Sequence, residues 1–385
     1  MNKWIFLIFL VFIPIYVFSS GLYLSIYDDE RVYIECGLAY VSNLTPPLLC
    51  NFEHPPFAKY FIGFFSVLGI ARYVFMLLAV VSGFLLYLLV SGFTGYWIAG
   101  LVVSTLFLFD TIVFNTHRYL LLDPVAVFLV LLSTCLFYSG RKYISAITAG
   151  LAVASKFSVV PVVAGLWLTL VIRERGFKNS ILYLLLAFAT YLSTYLVDLR
   201  LGLDAILRHH VEMYTYMSWR HGFSPVIAIL GFTKLFFRIE AWRYIGEYTF
   251  LVSTSNGFLE VVNTKFTPLN KWYIVFYAGG GSPLWHILFP SLLYATYLVL
   301  TRKASSRLGD TVFLSWLSLL NVVAGTLDWY YVNTLPFLYT TLVVLVYQVA
   351  PSRFKWIVTA LVIVHFTSFI LTLLGVIPFK TLVAT

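Results

Sequence analysis

Apolar residues run through this chain in long unbroken blocks, separated by short polar knots. Blocks of about 18–20 residues recur, the length that crosses a hydrocarbon core. The first covers residues 1–24 after a single early Lys3. The next fall near 60–91 and 95–114, divided by Ser91-Gly92-Phe93-Thr94-Gly95, and another runs over 124–139. The stretch 143–172 has room for two helices with a break around Lys156 to Pro161, and a further block covers 180–197. Four more lie near 284–300, 311–327, 334–349 and 357–375. The blocks are apolar at successive positions and do not alternate, which predicts helices and not the strands of a membrane barrel. The first block also has the length of a cleaved leader; with so many spans behind it, it reads as a first helix that stays.

Between 198 and 282 the pattern changes. Charged residues, His and Trp interrupt apolar patches too short to span. This predicts a long external segment with amphipathic helices lying in the membrane interface. The expectation is an all-α polytopic membrane protein of about eleven transmembrane helices, forming one domain over 1–385. Within it 25–59 is an external loop, 198–282 an external segment and 283–385 the C-terminal helices.

Composition supports this and orients it. Hydrophobic residues make up 61% of the chain and charged ones 11%, against about 25% charged in a soluble domain. So little polar surface excludes a water-soluble fold of this size. The net charge of +9 lies largely in short loops. With eleven spans, Lys3, Arg141/Lys142, Arg173/Arg175/Lys178, Arg302/Lys303/Arg307 and Arg353/Lys355 all fall on one side. Basic loops mark the cytoplasm, so the expectation is a cell-membrane protein with its N-terminus inside and its C-terminus outside. That distribution argues against a nucleic-acid partner and for membrane lipids, including lipid phosphates. Of the acids, only Glu174 and Asp310 fall on the basic side.

The unusual charges gather outside, first in the stretch 28–59. Asp28-Asp29-Glu30 follows the first span directly, and a carboxylate there can act as general base on a hydroxyl. One acid suffices to cap a helix start; three in a row exceed that need, and Asp28 is the one best left as a cap. His54-Pro55-Pro56 leads into the next helix, where proline suits the first turn. His54 and Lys59 can face a phosphate, or Lys59 can snorkel to the interface. Arg118 and Asp123 bracket a later external turn, and they can either contact a ligand or pair with each other. Arg118 suits a phosphate. Lys156 is an ionisable residue in an apolar hairpin. His209, His210 and Glu212 have a metal-like spacing, a weak signal; nothing else suggests a metal, although a divalent ion is compatible. Cys36 and Cys50 share the external loop, and both a disulfide and two free thiols fit their spacing. Trp219, Arg220, His221, Arg238, Trp242 and Arg243 suit interface anchoring or sugar stacking equally.

In order and spacing, Asp29-Glu30, His54-Pro55-Pro56-Phe57-Ala58-Lys59 and Arg118-Tyr119-Leu120-Leu121-Leu122-Asp123 resemble the protein O-mannosyltransferase family. That family belongs to the GT-C membrane glycosyltransferases. The run Gly150 to Phe157, with Lys156, and the segment from His210 to His221 are similar to further family stretches. The form Asp29-Glu30-x-x-Tyr33-x-Glu35 is also similar to the aminoarabinose-transferring branch, so the sugar stays open. The chain has no room for the large carbohydrate-binding insert of eukaryotic members, which leaves the acceptor open too.

The resemblance implies a GT-C-like bundle and an inverting transfer of a sugar, mannose first among candidates, from a polyprenyl-phosphate donor. The acceptor would be a hydroxyl of a protein, a glycan or a lipid on the extracytoplasmic face. Asp29 and Glu30 would be the catalytic pair, with Asp29 the base; His54, Lys59, Arg118 and Asp123 would bind the donor's phosphate and sugar. No cofactor is implied. The rival is a polytopic transporter or lipid flippase, for which buried mid-span charges and paired broken helices would be expected.

Overall fold

The computed structural model describes residues 9, 11–15, 17, 28–173, 177–220, 239–244, 247–255, 258–267, 271–278, 282–321, 328–374, 376 and 381–384. Most of the first apolar block, Glu174 and Arg175, and His221 and Arg238 lie outside them, as do the side chains of Asp28, Trp219, Arg220, Trp242 and Arg243.

Helix α1 (Asp28–Asn43) opens with the three acids, where the helix dipole favours negative charge. A short 3-10 turn at Pro47–Leu49 follows, and Pro56 leads into α2 (Phe57–Val67). Helix α3 (Ala71–Thr94) begins only after Gly69, whose φ of 69° is left-handed. The apolar block expected to span from about 60 is therefore two elements. Gly69 takes a conformation that ends one helix before the next begins. Helices α4 (Trp97–Leu108) and α5 (Thr111–His117) form one apolar run bent by 64°. The bend is made by Asp110, whose carboxylate caps α5 by accepting from the Ile112 and Val113 amides.

The chain continues through α6 (Leu122–Tyr138), α7 (Lys142–Ser155), a 3-10 turn at Phe157–Val159 and α8 (Val160–Arg173). Next come α9 (Phe177–Ser193) and α10 (Ala205–Arg220). The C-terminal helices are α11 (Trp285–Leu300), α12 (Ser306–Leu319), α13 (Asp328–Val332), α14 (Leu335–Val349) and α15 (Phe354–Leu373).

Two helices, α3 and α15, are long and apolar enough to cross a membrane, and the bent pair α4–α5 makes a third. Helices α2, α6, α9, α11, α14 and the run Phe157–Arg173 are apolar but shorter. Length and composition thus give two or three helices able to cross a membrane, and not a count of eleven. The stretch expected to carry amphipathic helices holds α10. Further on the backbone is stranded: Ile239–Tyr244 pairs antiparallel with Lys271–Ala278, and Glu247–Ser255 with Phe258–Thr267. Those stretches are rich in Tyr, Phe, Val and Thr, which favour strands, and Asn256-Gly257 between two of them is a favoured hairpin dipeptide.

The helices pack in a continuous bundle: α3 on α4 and α6, α6 on α7, α7 on α9, and α14 on α11, α12 and α4. At Gly150 a side chain is impossible, since a Cβ would stand 2.3 Å from the Ala187 carbonyl oxygen. Hydroxyls tie the helices where the surroundings are apolar. Ser104 Oγ donates to the Gly83 carbonyl at 2.6 Å, and Ser133, Ser145 and Tyr183 form a chain across α6, α7 and α9. Facing outward are large apolar side chains such as Ile172, Leu185, Phe188 and Trp356, surface that acyl chains accept and water does not.

The two ends of α6 differ in charge. At its last turn Arg173 and Arg307 both lie over the Tyr138 ring at 5.7 Å, and both pair with Asp310. At its first turn stands Asp123, about 26 Å away for a helix of 17 residues.

Candidate functional site

The site is built on the corner between α1 and α2. These helices touch backbone to backbone at two glycines. A Cβ on Gly63 would lie 2.0 Å from the Gly37 carbonyl oxygen, and one on Gly37 would lie 2.4 Å from that of Lys59. Cys36 and Cys50 are bonded, with Cα atoms 5.6 Å apart. The Tyr40 hydroxyl donates to the Cys50 carbonyl oxygen. Segment 44–56 is therefore clamped onto α1.

Lys59 completes the clamp. It is fully buried, and its ammonium donates to the carbonyl of Asn51, to Asn51 Oδ1 at 3.2 Å and to the carbonyl of His54 at 2.8 Å. Burial lowers its pKa to about 7, with the charges of Glu53 and Asp198 opposing that shift. Lys59, expected either to face a phosphate or to snorkel, directs its hydrogens to Asn51 and to the His54 carbonyl. His54 keeps its ring at the site, edge-on to Tyr33 at 6.0 Å.

A second clamp joins this loop to the stretch that begins at Asp198. His209 and Asp198, both fully buried, meet at 2.6 Å. Asp198 Oδ1 accepts from the Leu48 amide at 2.9 Å, and His209 Nε2 lies 3.1 Å from the Phe52 carbonyl oxygen. His210 turns instead to the Tyr191 hydroxyl at 2.8 Å, and Glu212 is exposed. The metal-like spacing of these three residues therefore does not become a converging set.

Asp29 and Glu30 have separate fates. Glu30 is fully buried; Oε1 accepts from the Leu120 amide at 3.1 Å and pairs with Arg72 at 3.0 Å. Arg72 in turn donates to the Arg118 carbonyl at 3.2 Å. Glu30 thus fixes the 118–120 turn against α1. Asp29 is exposed. Arg118 is nearly buried, and burial, with the nearby Arg72 charge adding to it, lowers its pKa from the usual guanidinium range. The Arg72 guanidinium thus joins the buried Glu30 carboxylate to the Arg118 backbone.

Asp123 belongs to a separate cluster. It does not pair with Arg118. Its Oδ2 is 2.6 Å from Lys156 Nζ, and its Oδ1 accepts from Asn333 Nδ2 at 3.0 Å. Asn333 also donates to Ser158 Oγ at 3.1 Å, and Lys156 lies 5.2 Å over the Tyr330 ring. Tyr33 lies one turn after Asp29 on the same face of α1. Its hydroxyl is held well above the usual phenol range by burial first, then by the charges of Asp29, Glu53 and Asp123.

No protein-family model matches the chain, and no curated protein matches it significantly.

Sequence reasoning singled out Asp29, Glu30, His54, Lys59, Arg118 and Asp123; among them Glu30 meets the Leu120 amide, His54 meets Tyr33, and Asp123 meets Lys156 and Asn333. It missed Arg72, Tyr330 and Asn333. Arg72, a lone base at the start of a long apolar helix, was a signal available to it.

Proposed function

We propose that this protein is an integral-membrane glycosyltransferase. It moves a hexosyl group, mannose first among candidates, from a polyprenyl-phosphate donor to a hydroxyl acceptor on the extracytoplasmic face. The observation that carries this reading is the exposed Asp29 beside the immobilised Glu30. Glu30 is held by Arg72, which also meets the Arg118 carbonyl, while Asp123 is held in its own cluster by Lys156 and Asn333. In the reaction the Asp29 carboxylate takes the acceptor hydroxyl's proton as its oxygen attacks C1. The C1–O bond to phosphate breaks, C1 inverts, and polyprenyl phosphate leaves with the bonding pair. Arg118 offsets the charge that develops on that phosphate. Glu30 and Lys59 are positioning residues, and His54 lines the same side as Tyr33.

The reading includes a GT-C-like bundle of about eleven spans in the cell membrane, with the N-terminus in and the C-terminus and site outside. Its support is the separation of charge along the bundle: Arg173, Arg307 and Asp310 cluster at the last turn of α6, while Asp123 and Lys156 lie at its first. Basic clusters belong on the cytoplasmic side.

A transporter or flippase is the second reading, favoured by the bend between α4 and α5, because broken helices line many transport sites. The bend's carboxylate is fully engaged, however. Besides the two amides, Asp110 Oδ2 accepts from Trp285 Nε1 at 2.8 Å and from the Tyr339 hydroxyl at 2.6 Å. Incubating the protein in vesicles with radiolabelled polyprenyl-phosphate mannose, and with other lipid-phosphate sugars, separates the readings. A transferase moves label from lipid to an added hydroxyl acceptor. A flippase carries the intact donor across the bilayer and forms no product.

A further inference from the structure

We propose that Asp123, Lys156 and Asn333 form a subsite that reads adjacent ring hydroxyls of the transferred hexose and does not hold the donor phosphate.

The cluster is assembled from three separated parts of the chain: the first turn of α6, the break between α7 and α8, and the turn between α13 and α14. Its charges cancel, since Lys156 and Asp123 are 2.6 Å apart and both buried. What the cluster leaves over is one donor and one acceptor. Lys156 carries three N–H bonds, and among the described residues its hydrogen-bond partner is Asp123. Asn333 gives its amide hydrogens to Asp123 Oδ1 and Ser158 Oγ. That fixes which way the amide points, because the reverse would set its oxygen against a carboxylate. Asn333 Oδ1, on a residue 1% exposed, has no hydrogen-bond partner among the described residues. Buried acceptors are rarely left so.

An unmet acceptor beside an ammonium with hydrogens to spare complements two neighbouring hydroxyls. One donates to Asn333 Oδ1 and the next accepts from Lys156. The Tyr330 ring beside Lys156 gives an apolar face of the kind that packs on a pyranose. A phosphate is the wrong occupant, as it would bring negative charge against Asp123 at a cluster with no net positive charge. The Arg72–Arg118 corner suits the phosphate instead. The two ends of the donor thus go to two separate clusters.

This inference rests on the glycosyltransferase reading for its class of ligand, and its test separates the two. Binding of bare polyprenyl phosphate and of polyprenyl-phosphate mannose is measured with the full chain in nanodiscs. The wild type binds the sugar-bearing lipid about ten-fold more tightly or better, the scale of a hydrogen bond to an otherwise unmet buried group. In Asn333→Ala that preference is lost while bare polyprenyl phosphate binds as before; the melting temperature falls, because Asp123 Oδ1 and Ser158 Oγ each lose a donor. Donors lacking single ring hydroxyls repeat the test on unmodified protein. Removing one hydroxyl reproduces the Asn333→Ala loss in the wild type and has no further effect in the variant. The proposal is overturned if Asn333→Ala weakens both lipids equally, or if every deoxy donor binds the wild type as well as the mannosyl lipid does. Should Asn333→Ala not fold, the deoxy series alone decides. A sugar preference without transfer sinks the transferase reading and leaves the subsite; transfer without hydroxyl preference sinks the subsite alone.

Discussion

Arg72 Nη2 lies 3.0 Å from Glu30 Oε1, and this contact assigns different tasks to two adjacent acids. Glu30 is wholly buried and spends one oxygen on Arg72 and the Leu120 amide. Asp29 is exposed. Replacing Glu30 by Ala strands the Leu120 amide and the Arg72 charge, which costs about 2 kcal/mol of stability. Glu30→Gln keeps an acceptor for Leu120 and recovers part of that. Thermal melting of the two variants in detergent, compared with wild type, measures it.

Lys59 gives the fold a pH dependence of known sign. Its folded pKa of about 7 lies below the ordinary lysine value of 10.5. Between those values the unfolded chain binds the extra proton, so stability rises with pH from about 7 towards 10.5. Below 7 both states are protonated and the contribution is flat. Melting temperatures taken from pH 6 to 10 rise through the window in the wild type, and the rise is smaller in Lys59→Met.

The Cys36–Cys50 bond closes a loop with a sequence separation of 14, worth about 3 kcal/mol on loop-closure grounds. Cys50→Ser lowers the melting temperature accordingly. Limited proteolysis then cuts first within 44–56, a segment the wild type protects.

The buried pair Asp198–His209 ties segment 44–56 to the 3-10 turn at Leu196–Leu201 and to α10. Removing one partner leaves the other uncompensated, at about 3 kcal/mol. His209→Phe and Asp198→Leu are therefore each strongly destabilising. The double variant is less so than the sum of the two, and a double-mutant cycle by melting reads the difference.

Much of this arrangement was legible in the chain. The apolar blocks gave helices, and the cluster of acids after the first block marked the site. What the sequence concealed depended on separation. Asp123 had a visible neighbour in Arg118, five residues away, yet it pairs with Lys156, 33 residues away, and with Asn333, 210 residues away. Those partners meet only once α6, α8 and α14 are packed. The break at Gly69 was hidden inside an apolar block, where a glycine is as compatible with a span as with a turn. Lys59 looked like a ligand group because its acceptors are backbone carbonyls, which leave no trace in a pattern of side chains. The strands between 239 and 278 carry their own signals in alternating residues and Asn256-Gly257, outweighed by the helical character of the rest.

The central claim is that Asp29 is the base, and Asp29→Asn tests it most directly. The substitution keeps size and leaves the buried contacts of Glu30 in place. Transfer of label from polyprenyl-phosphate mannose, or from whichever lipid-phosphate sugar the wild type uses, is measured with both proteins in vesicles at matched amounts. The account predicts a fall in kcat of about 10²–10⁴-fold, with donor binding and melting temperature close to wild type. Transfer by Asp29→Asn at the wild-type rate would contradict it.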